Sequence, residues 1–177
     1  MLVEVLIPDF QGEISGLAKV VEAAPDVIAH NIETTMSLTP TVRDPRAHYW
    51  QSLSVLRNVK KLNRRLYTKS SIMVGLGETE EEVTQAMVHL RHAGVDFLTV
   101  GQYLRPSARH LKVVEYVRPE QFQRYRRIGE DLGFSYVASG PLVRSSYRAG
   151  EFFIRTTIEN DPRRSQSYMG RETENNN

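Results

Sequence analysis

Apolar and polar positions follow two alternating periods along the chain, and this alternation predicts strands separated by helices. Short apolar runs, typical of strands that are buried on both faces, recur five times. These runs are residues 2–7, 27–30, 70–75, 97–100 and 134–138. Between them the apolar positions recur every three or four residues, as on the inward face of a helix. This spacing predicts helices over residues 14–24, 46–62, 80–93, 119–132 and 147–158.

The helix after the third predicted strand has the clearest boundaries. Thr79 and Glu82 have the spacing of a capping box, and Gly94 follows the last apolar position. Pro119 opens a later helix at its first position. In the helix over residues 46–62, the spacing predicts one apolar stripe. Its members are Trp50, Leu53, Leu56, Val59 and Leu62.

Strands that alternate with helices predict an α/β fold with a parallel sheet and right-handed crossovers. Five strands cannot close an eight-stranded βα barrel, which needs about 250 residues. Two architectures remain open at this point. One is an open, doubly wound sheet, which the chain length alone favours, and the other is an incomplete parallel βα barrel whose first strand lies at an edge. Residues 1–158 are expected to form the folded domain, and residues 159–177 a polar, disordered tail.

Composition and charge narrow the classes of function. Of the 177 residues 40% are hydrophobic and 25% charged, with a net charge of +2, and positive and negative residues alternate without a basic arm for nucleic acid. We see neither an apolar run long enough to span a membrane nor the basic start of a signal peptide. The cysteine count is zero. This excludes disulfides, thiolate-ligated zinc, a cysteine nucleophile and an iron–sulfur cluster held by the chain's own thiolates.

Polar groups follow every predicted strand, at the edge of the sheet where α/β proteins build their sites. They are Asp9 and Gln11 after the first strand, His30, Asn31 and Glu33 after the second, Gly75, Gly77 and Glu78 after the third, Gly101, Gln102, Tyr103, Arg105, Arg109 and His110 after the fourth, and Ser139, Gly140, Arg144, Ser145 and Ser146 after the fifth. Asn31 and Glu33 stand out because they directly follow a buried strand.

Two of these groups have both a structural and a functional interpretation. Gly75 and Gly77 either form a tight strand-to-helix turn or let a ligand approach the backbone, and no Lys-Ser or Lys-Thr follows to make a P-loop. Ser145 and Ser146 are typical helix N-caps, and no neighbouring base activates either as a nucleophile. His30 and His110 without spaced carboxylates make a weak metal site.

Six segments, taken together and in order, resemble the lipoyl synthase family of radical S-adenosylmethionine enzymes, and over residues 2–155 the likeness is continuous. They are VEVLIPDF (3–10), AHNIET (29–34), VRDPRA (42–47), KSSIMVGLGETEEEV (69–83), LTVGQYLRPSARHLKV (98–113) and ASGPLVRSSYRAGEFF (138–153). The last segment is more similar to mitochondrial members than to bacterial ones, which commonly have histidine at the position of Arg148.

The resemblance implies a partial, six-stranded βα barrel and an enzyme that inserts two sulfur atoms at C6 and C8 of a lysine-bound octanoyl chain. It implies S-adenosylmethionine and two 4Fe–4S clusters as cofactors, held in the family by six cysteines that precede the matched region. The chain is therefore expected to be the carboxyl-terminal portion and to be inactive alone. The implied partners are lipoyl carrier domains, namely the E2 subunits of 2-oxoacid dehydrogenases and the glycine cleavage H protein, together with iron–sulfur delivery proteins. The implied location is the mitochondrial matrix, although no targeting segment is recognisable in the chain.

The resemblance also implies roles for single residues. Ser146 matches the serine that is the fourth ligand of the auxiliary cluster. Gly75 and Gly77 match the strand end that passes the adenine of S-adenosylmethionine, and Asn31 and Glu33 match a polar pair near its ribose or methionine. The remaining assignments are Arg144, which would orient the serine loop or bind substrate, His110 on the same rim, and Lys69 as a surface residue at a strand start.

Two alternatives remain open beside this interpretation. The first is a non-catalytic remnant that binds lipoyl carrier domains or S-adenosylmethionine without radical chemistry. The second is a small α/β hydrolase or aldolase-like enzyme, which lacks a placed nucleophile and base.

Overall fold

The computed structural model describes residues 2–144 and 149–161 and contains a single five-stranded sheet with flanking helices. The strands are β1 (Glu4–Leu6), β2 (Val27–Ala29), β3 (Tyr67–Val74), β4 (Phe97–Gln102) and β5 (Tyr136–Gly140). The helices are α1 (Ile14–Glu22), α2 (Thr39–Val42), α3 (Tyr49–Leu62), α4 (Glu80–His92), α5 (Pro119–Asp131) and α6 (Ala149–Glu159), with a 3₁₀ turn at Phe10–Gly12. All five predicted strands and five predicted helices are present. The 3₁₀ turn and α2 were not predicted, because one turn is too short to show a period.

The sheet has the strand order β1-β2-β3-β4-β5, and every neighbouring pair is parallel. A doubly wound sheet reverses its strand order at a switch point. This sheet has no reversal, so the doubly wound alternative is wrong. Right-handed crossovers in sequential order place the crossover helices on one face, as in a βα barrel. The prediction of an incomplete parallel βα barrel is confirmed.

The main core lies between the helices and the convex face of the sheet. Buried side chains of α3, α4 and α5 pack there against alternate residues of β3, β4 and β5. They include Leu53, Leu56, Val83, Met87, Leu90, Phe122, Ile72, Val74, Leu98, Val100 and Val137. Thr79 and Glu82 form the predicted capping box, which stabilises the start of α4 in this layer.

The predicted stripe of α3 is wrong at two positions. Trp50 is 53% exposed and Leu62 is 44% exposed, whereas Leu53, Leu56 and Val59 are buried as predicted. Tyr49 is the buried aromatic residue instead. Each residue turns a helix by about 100°, so a stripe centred on Tyr49 rotates Trp50 out of the core.

The first residues of the later strands form a second core on the concave face. Val27, Tyr67 and Phe97 pack there against Ile154 and Ile158 of α6. The rings of Tyr67 and Phe97 stack with centroids 5.2 Å apart. The hydroxyl of Tyr67 also donates a hydrogen bond to Asp161 beyond the helix. Helix α6 thereby covers the amino-terminal end of the concave face.

Strand β1 forms one edge of the sheet, as predicted, and its Leu6 is 64% exposed. Lys69 does not lie on the surface as predicted: it is 5% exposed, because β3 starts at Tyr67 and carries Lys69 into the sheet. The Lys69 ammonium donates to both carboxylate oxygens of Glu4, at 2.8 and 3.0 Å. Burial of a lysine is tolerated when its charge is paired in this way. The pair fastens β1 to β3 across β2.

Among the residues that the structure describes, no helix is both long enough and apolar enough to cross a membrane.

Asp96 joins three elements at the amino-terminal end of the sheet. Its Oδ2 accepts from the Lys60 ammonium of α3 at 2.5 Å and from the backbone N–H of Thr68 in β3 at 2.8 Å. Lys60 also donates to the carbonyl of Leu66 at 2.7 Å. The side chains of Lys60 and Asp96 are both largely buried, so each charge offsets the cost of removing the other from water.

We predict that Asp96→Ala lowers the free energy of unfolding by about 3 kcal/mol, because it removes the carboxylate that compensates the charge of Lys60 and accepts from the Thr68 N–H. Urea denaturation followed by circular dichroism measures the loss. Asp131→Ala, at an exposed carboxylate of α5, is the control and should change stability by less than about 0.5 kcal/mol. Equal losses in the two variants would contradict the structural role of Asp96.

Candidate functional site

The chain beyond β2 runs beside β3 and positions the predicted Asn31 and Glu33. The N–H of Glu33 donates to Ser71 O at 3.1 Å, and the carbonyl of Glu33 accepts from the N–H of Met73 at 2.8 Å. Glu33 has a φ of 66°, which is unusual for a residue with a side chain. Such a conformation costs about 1 kcal/mol or more and is common at binding sites.

Asn31 and Glu33 line a cleft of about 310 Å³ at the carboxyl ends of β1 and β2. The residues that complete its wall are Leu6, Ile7, Pro8, Asp9, His30 and Arg43. The structure thus brings together polar residues that were predicted after two different strands. Arg43 was missed as a site residue, because it follows α2, an element that the sequence pattern did not reveal. Its guanidinium donates to Ser52 Oγ of α3 at 2.8 Å.

His30 is buried beside the cleft in a defined protonation state. Its Nδ1 lies 2.9 Å from the carbonyl of Ile7 and must donate, because a carbonyl only accepts. Nε2 is therefore the unprotonated nitrogen, and it has no hydrogen-bond partner among the described residues. Burial lowers the pKa of His30, so the ring is neutral at pH 7.

Asp9 supplies a negative charge to the same wall. Burial acts to raise its pKa, but hydrogen bonds outweigh that effect and hold the pKa below its ordinary value. The donors are the N–H of Gln11, at 2.9 Å, and the side-chain amide of Gln51, at 2.7 Å. The cleft therefore contains carboxylates, an amide and a guanidinium, which can bind hydroxyl, ammonium and carboxylate groups.

Gly75 and Gly77 both have a left-handed backbone, with φ values of 99° and 108°. A Cβ at Gly75 would overlap Gln102 Nε2 and Glu115 O, whereas one at Gly77 would meet only Val114, at 3.9 Å. The carboxylate of Glu78 accepts hydrogen bonds from the backbone N–H groups of Gly75 and Leu76. The turn interpretation therefore accounts for Gly75, and its N–H is not free for a ligand.

His110 lies on an exposed loop after β4 and does not line the cleft. Its Nδ1 is 2.9 Å from Ser107 Oγ, and its carbonyl accepts from Arg105 Nε at 2.9 Å. Among the described residues, these hydrogen bonds of His110 join it to Arg105 and Ser107 of the same loop.

The segment after β5 turns back over the carboxyl end of β4. A Cβ at Gly101 would overlap the carbonyl of Val143, so this close approach requires glycine. Arg144 follows and is exposed. Ser145 and Ser146 lie outside the described residues, and nothing in the structure tests the predicted metal ligand.

The residues present do not fit an iron–sulfur cluster. The chain has no cysteine, and the described ranges contain no group of three or more histidine, aspartate or glutamate side chains that could hold a metal ion. A 4Fe–4S cluster is ordinarily held by thiolates.

The sequential parallel sheet and the polar cleft at its carboxyl edge define an α/β protein of the βα-barrel type. Within that class, the chain is similar to curated proteins named mitochondrial lipoyl synthase, which confirms the resemblance noted in the sequence. It is 60% identical to the protein of Branchiostoma floridae over 89% of this chain, 53% identical to that of Aedes aegypti over 98%, and 55% identical to that of Drosophila melanogaster over 93%.

The chain spans less than half of these relatives, covering 42%, 45% and 44% of their respective lengths. No family model matches the chain.

We predict that the two glycines of the β3 turn differ in their tolerance of alanine. Gly77→Ala should cost about 1–2 kcal/mol of unfolding free energy, from the left-handed backbone alone. Gly75→Ala should cost about 3 kcal/mol, because the new methyl group also collides with Gln102 and the backbone at Glu115. Chemical denaturation of both variants measures the difference, and equal costs would contradict the close approach at Gly75.

We also predict that burial of His30 makes the protein less stable in mild acid. An unfolded histidine, with a pKa of 6.5, binds a proton as the pH falls, whereas folded His30 resists protonation. Protonation therefore favours the unfolded state, and stability falls as the pH drops from about 7.5 to about 5.5. His30→Gln should reduce this fall, and His110→Gln, on the exposed loop, is the control. Unchanged pH dependence in His30→Gln would contradict the assignment.

Proposed function

We propose that the chain is the carboxyl-terminal part of a mitochondrial lipoyl synthase, which inserts two sulfur atoms at C6 and C8 of an octanoyl group on a carrier lysine. The observation that carries this proposal is the 53–60% identity to proteins of that name over 89–98% of the chain. The octanoylated substrates would be the E2 subunits of 2-oxoacid dehydrogenases and the glycine cleavage H protein. The mitochondrial names of the relatives support a matrix location.

The cleft beyond β1 and β2 supports a role in binding S-adenosylmethionine. Glu33 and Asn31 offer a carboxylate and an amide to ribose hydroxyls or to the methionine ammonium, and Arg43 offers a cation to the methionine carboxylate. Gly75 and Gly77 would give the adenine a flat backbone surface instead of hydrogen-bond donors, since the Gly75 N–H is bound by Glu78.

Arg144 follows β5, at the opposite side of the same edge, and the proposal gives roles to it and to Ser146. In this proposal Ser146 is a ligand of the auxiliary cluster, and Arg144 orients its loop or contacts the octanoyl carrier. Val143, packed over Gly101, starts this loop at the carboxyl end of β4. Serine is a harder ligand than thiolate and binds iron less tightly, which suits a cluster that is consumed.

The missing thiolates limit what this chain does by itself. We propose that both clusters are held by cysteines outside the 177 residues, and that the chain alone does not cleave S-adenosylmethionine. The absence of cysteine also favours a second candidate function, a non-catalytic module that binds S-adenosylmethionine or a lipoyl carrier domain.

A chimera tests the proposed enzyme. The chain replaces the matching segment of the Branchiostoma floridae protein, and the chimera is expressed in cells that lack lipoyl synthase. We expect lipoylation of carrier proteins to return, and Ser146→Ala to reduce it at least about tenfold, as loss of a metal ligand does. Ser145→Ala is the matched control and should retain activity. A soluble chimera that restores no lipoylation would overturn the proposal.

We predict that the isolated chain, treated anaerobically with iron and sulfide, binds no stoichiometric cluster and forms no 5′-deoxyadenosine from S-adenosylmethionine. Iron analysis and chromatography measure the two outcomes, with the chimera as the positive control. Calorimetric binding of S-adenosylmethionine without product, lost in Glu33→Gln, would support the non-catalytic candidate. Formation of 5′-deoxyadenosine by the isolated chain would contradict the predicted inactivity.

A further inference from the structure

A basic surface lies on the helical layer, at the ends of α3 and α4 and away from the cleft of the candidate site. Arg57, Lys61, Arg64 and His92 are exposed around an open depression of about 310 Å³. Lys60, Ala93 and Gly94 complete its wall. We call this set of residues the basic surface.

The arginines and lysines of the basic surface all come from one segment of the chain that has no acidic residue. Residues 45–77 contain seven arginines and lysines and no aspartate or glutamate, although the whole chain has a net charge of only +2. The prediction that charges alternate along the chain is wrong for this segment. The other residues together have a net charge of −5, so positive charge is concentrated here.

The exposed cations of the basic surface are available to a partner. No carboxylate of the described residues forms an ion pair with Arg57, Lys61 or Arg64. Lys60 differs, because its ammonium forms an ion pair with Asp96 and so supports the fold. Exposed cations without ion pairs contribute little to stability and attract negatively charged partners over about 10 Å at physiological salt.

Trp50 lies on the same face of α3 as these cations. Trp50, Arg57 and Lys61 are separated by seven and four residues, which is the spacing of one helical face. The Trp50 ring is exposed but supported, with centroid distances of 4.9 Å to His89 and 5.4 Å to Tyr49. The His89 ring is itself fixed by two hydrogen bonds: its Nε2 accepts from the side-chain amide of Gln85 at 2.9 Å, and its Nδ1 therefore donates to the Tyr49 hydroxyl at 3.1 Å. Tryptophan and arginine are enriched at protein-binding hot spots, and Trp50 lies about two turns from Arg57 on this face.

We propose that Trp50 and the basic surface form a docking face for a protein partner that presents clustered carboxylates. This face is independent of the sulfur-insertion reaction proposed above, since it lies away from the carboxyl ends of the strands. Trp50 supplies the apolar anchor, and Arg57, Lys61 and Arg64 supply charge complementarity.

The surroundings favour a protein over other anions. The depression lies at the carboxyl end of α4, where Ala93 and Gly94 follow the last turn and the helix ends in backbone carbonyls instead of N–H groups. A small phosphate ion is better bound at a helix amino terminus, where backbone N–H groups converge. A long nucleic acid would extend onto the rest of the chain, whose net negative charge repels it, whereas a compact acidic face meets only this surface.

The sole tryptophan of the chain makes the test specific. Trp50 emission of the full 177-residue chain reports on this surface alone during titration with decaglutamate peptide. We expect a saturable change that weakens at least about tenfold when NaCl is raised from about 50 to about 500 mM.

Two double variants locate the binding. With fluorescein-labelled decaglutamate and anisotropy, Arg57→Glu with Lys61→Glu should weaken binding at least about tenfold. Arg118→Glu with Arg127→Glu makes the same change in net charge on exposed residues at α5, neither of which forms an ion pair within the described ranges, and should leave binding within about twofold. Trp50→Ala should also weaken it, and circular dichroism confirms that each variant is folded. Equal weakening in both double variants, no binding of the peptide, or tighter binding of inorganic phosphate or of a ten-nucleotide DNA would each overturn the proposal.

Discussion

Each strand of the sheet pairs in parallel with the strand that follows it along the chain, and this constraint governs the rest of the structure. A parallel pair needs a crossover, and a right-handed crossover returns on the same face each time. The crossover helices therefore share the convex face, while the carboxyl ends of all strands meet at one edge. The main core and the polar cleft are two consequences of the same strand order.

Ion pairs in which at least one member is buried connect this sheet to its surroundings. Lys69 and Glu4 join the edge strand to β3, and Lys60 and Asp96 join α3 to the sheet. A charge inside a protein costs several kcal/mol unless a partner compensates it, so each pair stabilises one relative placement of its elements. The neighbouring residues Lys60 and Lys61 have different roles. Lys60 supports the fold through its ion pair with Asp96, whereas Lys61 is exposed on the basic surface.

The proposed function has two parts, ligand binding and cluster chemistry, and this chain has candidate groups only for the first. The described residues supply polar groups for a ligand with hydroxyl, ammonium and carboxylate groups, but they supply no thiolate. The polar groups of the cleft thus occur in a chain without thiolates, and the chain spans less than half of each of these curated relatives.

The sequence by itself determined the strands, the main helices and the polar residues after each strand, because periodicity and capping are local properties. It also identified the family through ordered motifs, and it placed Asn31 and Glu33 at the edge where the cleft lies. The residue pattern left two sheet architectures open, because strand order is not encoded in any single period. The family resemblance favoured the barrel, and the strand order in the tertiary structure confirmed it. Only the tertiary structure decided that Trp50 is exposed, that Lys69 is buried and that Arg43 lines the cleft. It also placed the cations of the basic surface next to one another. These features depend on contacts between residues far apart in the chain, which no local pattern specifies.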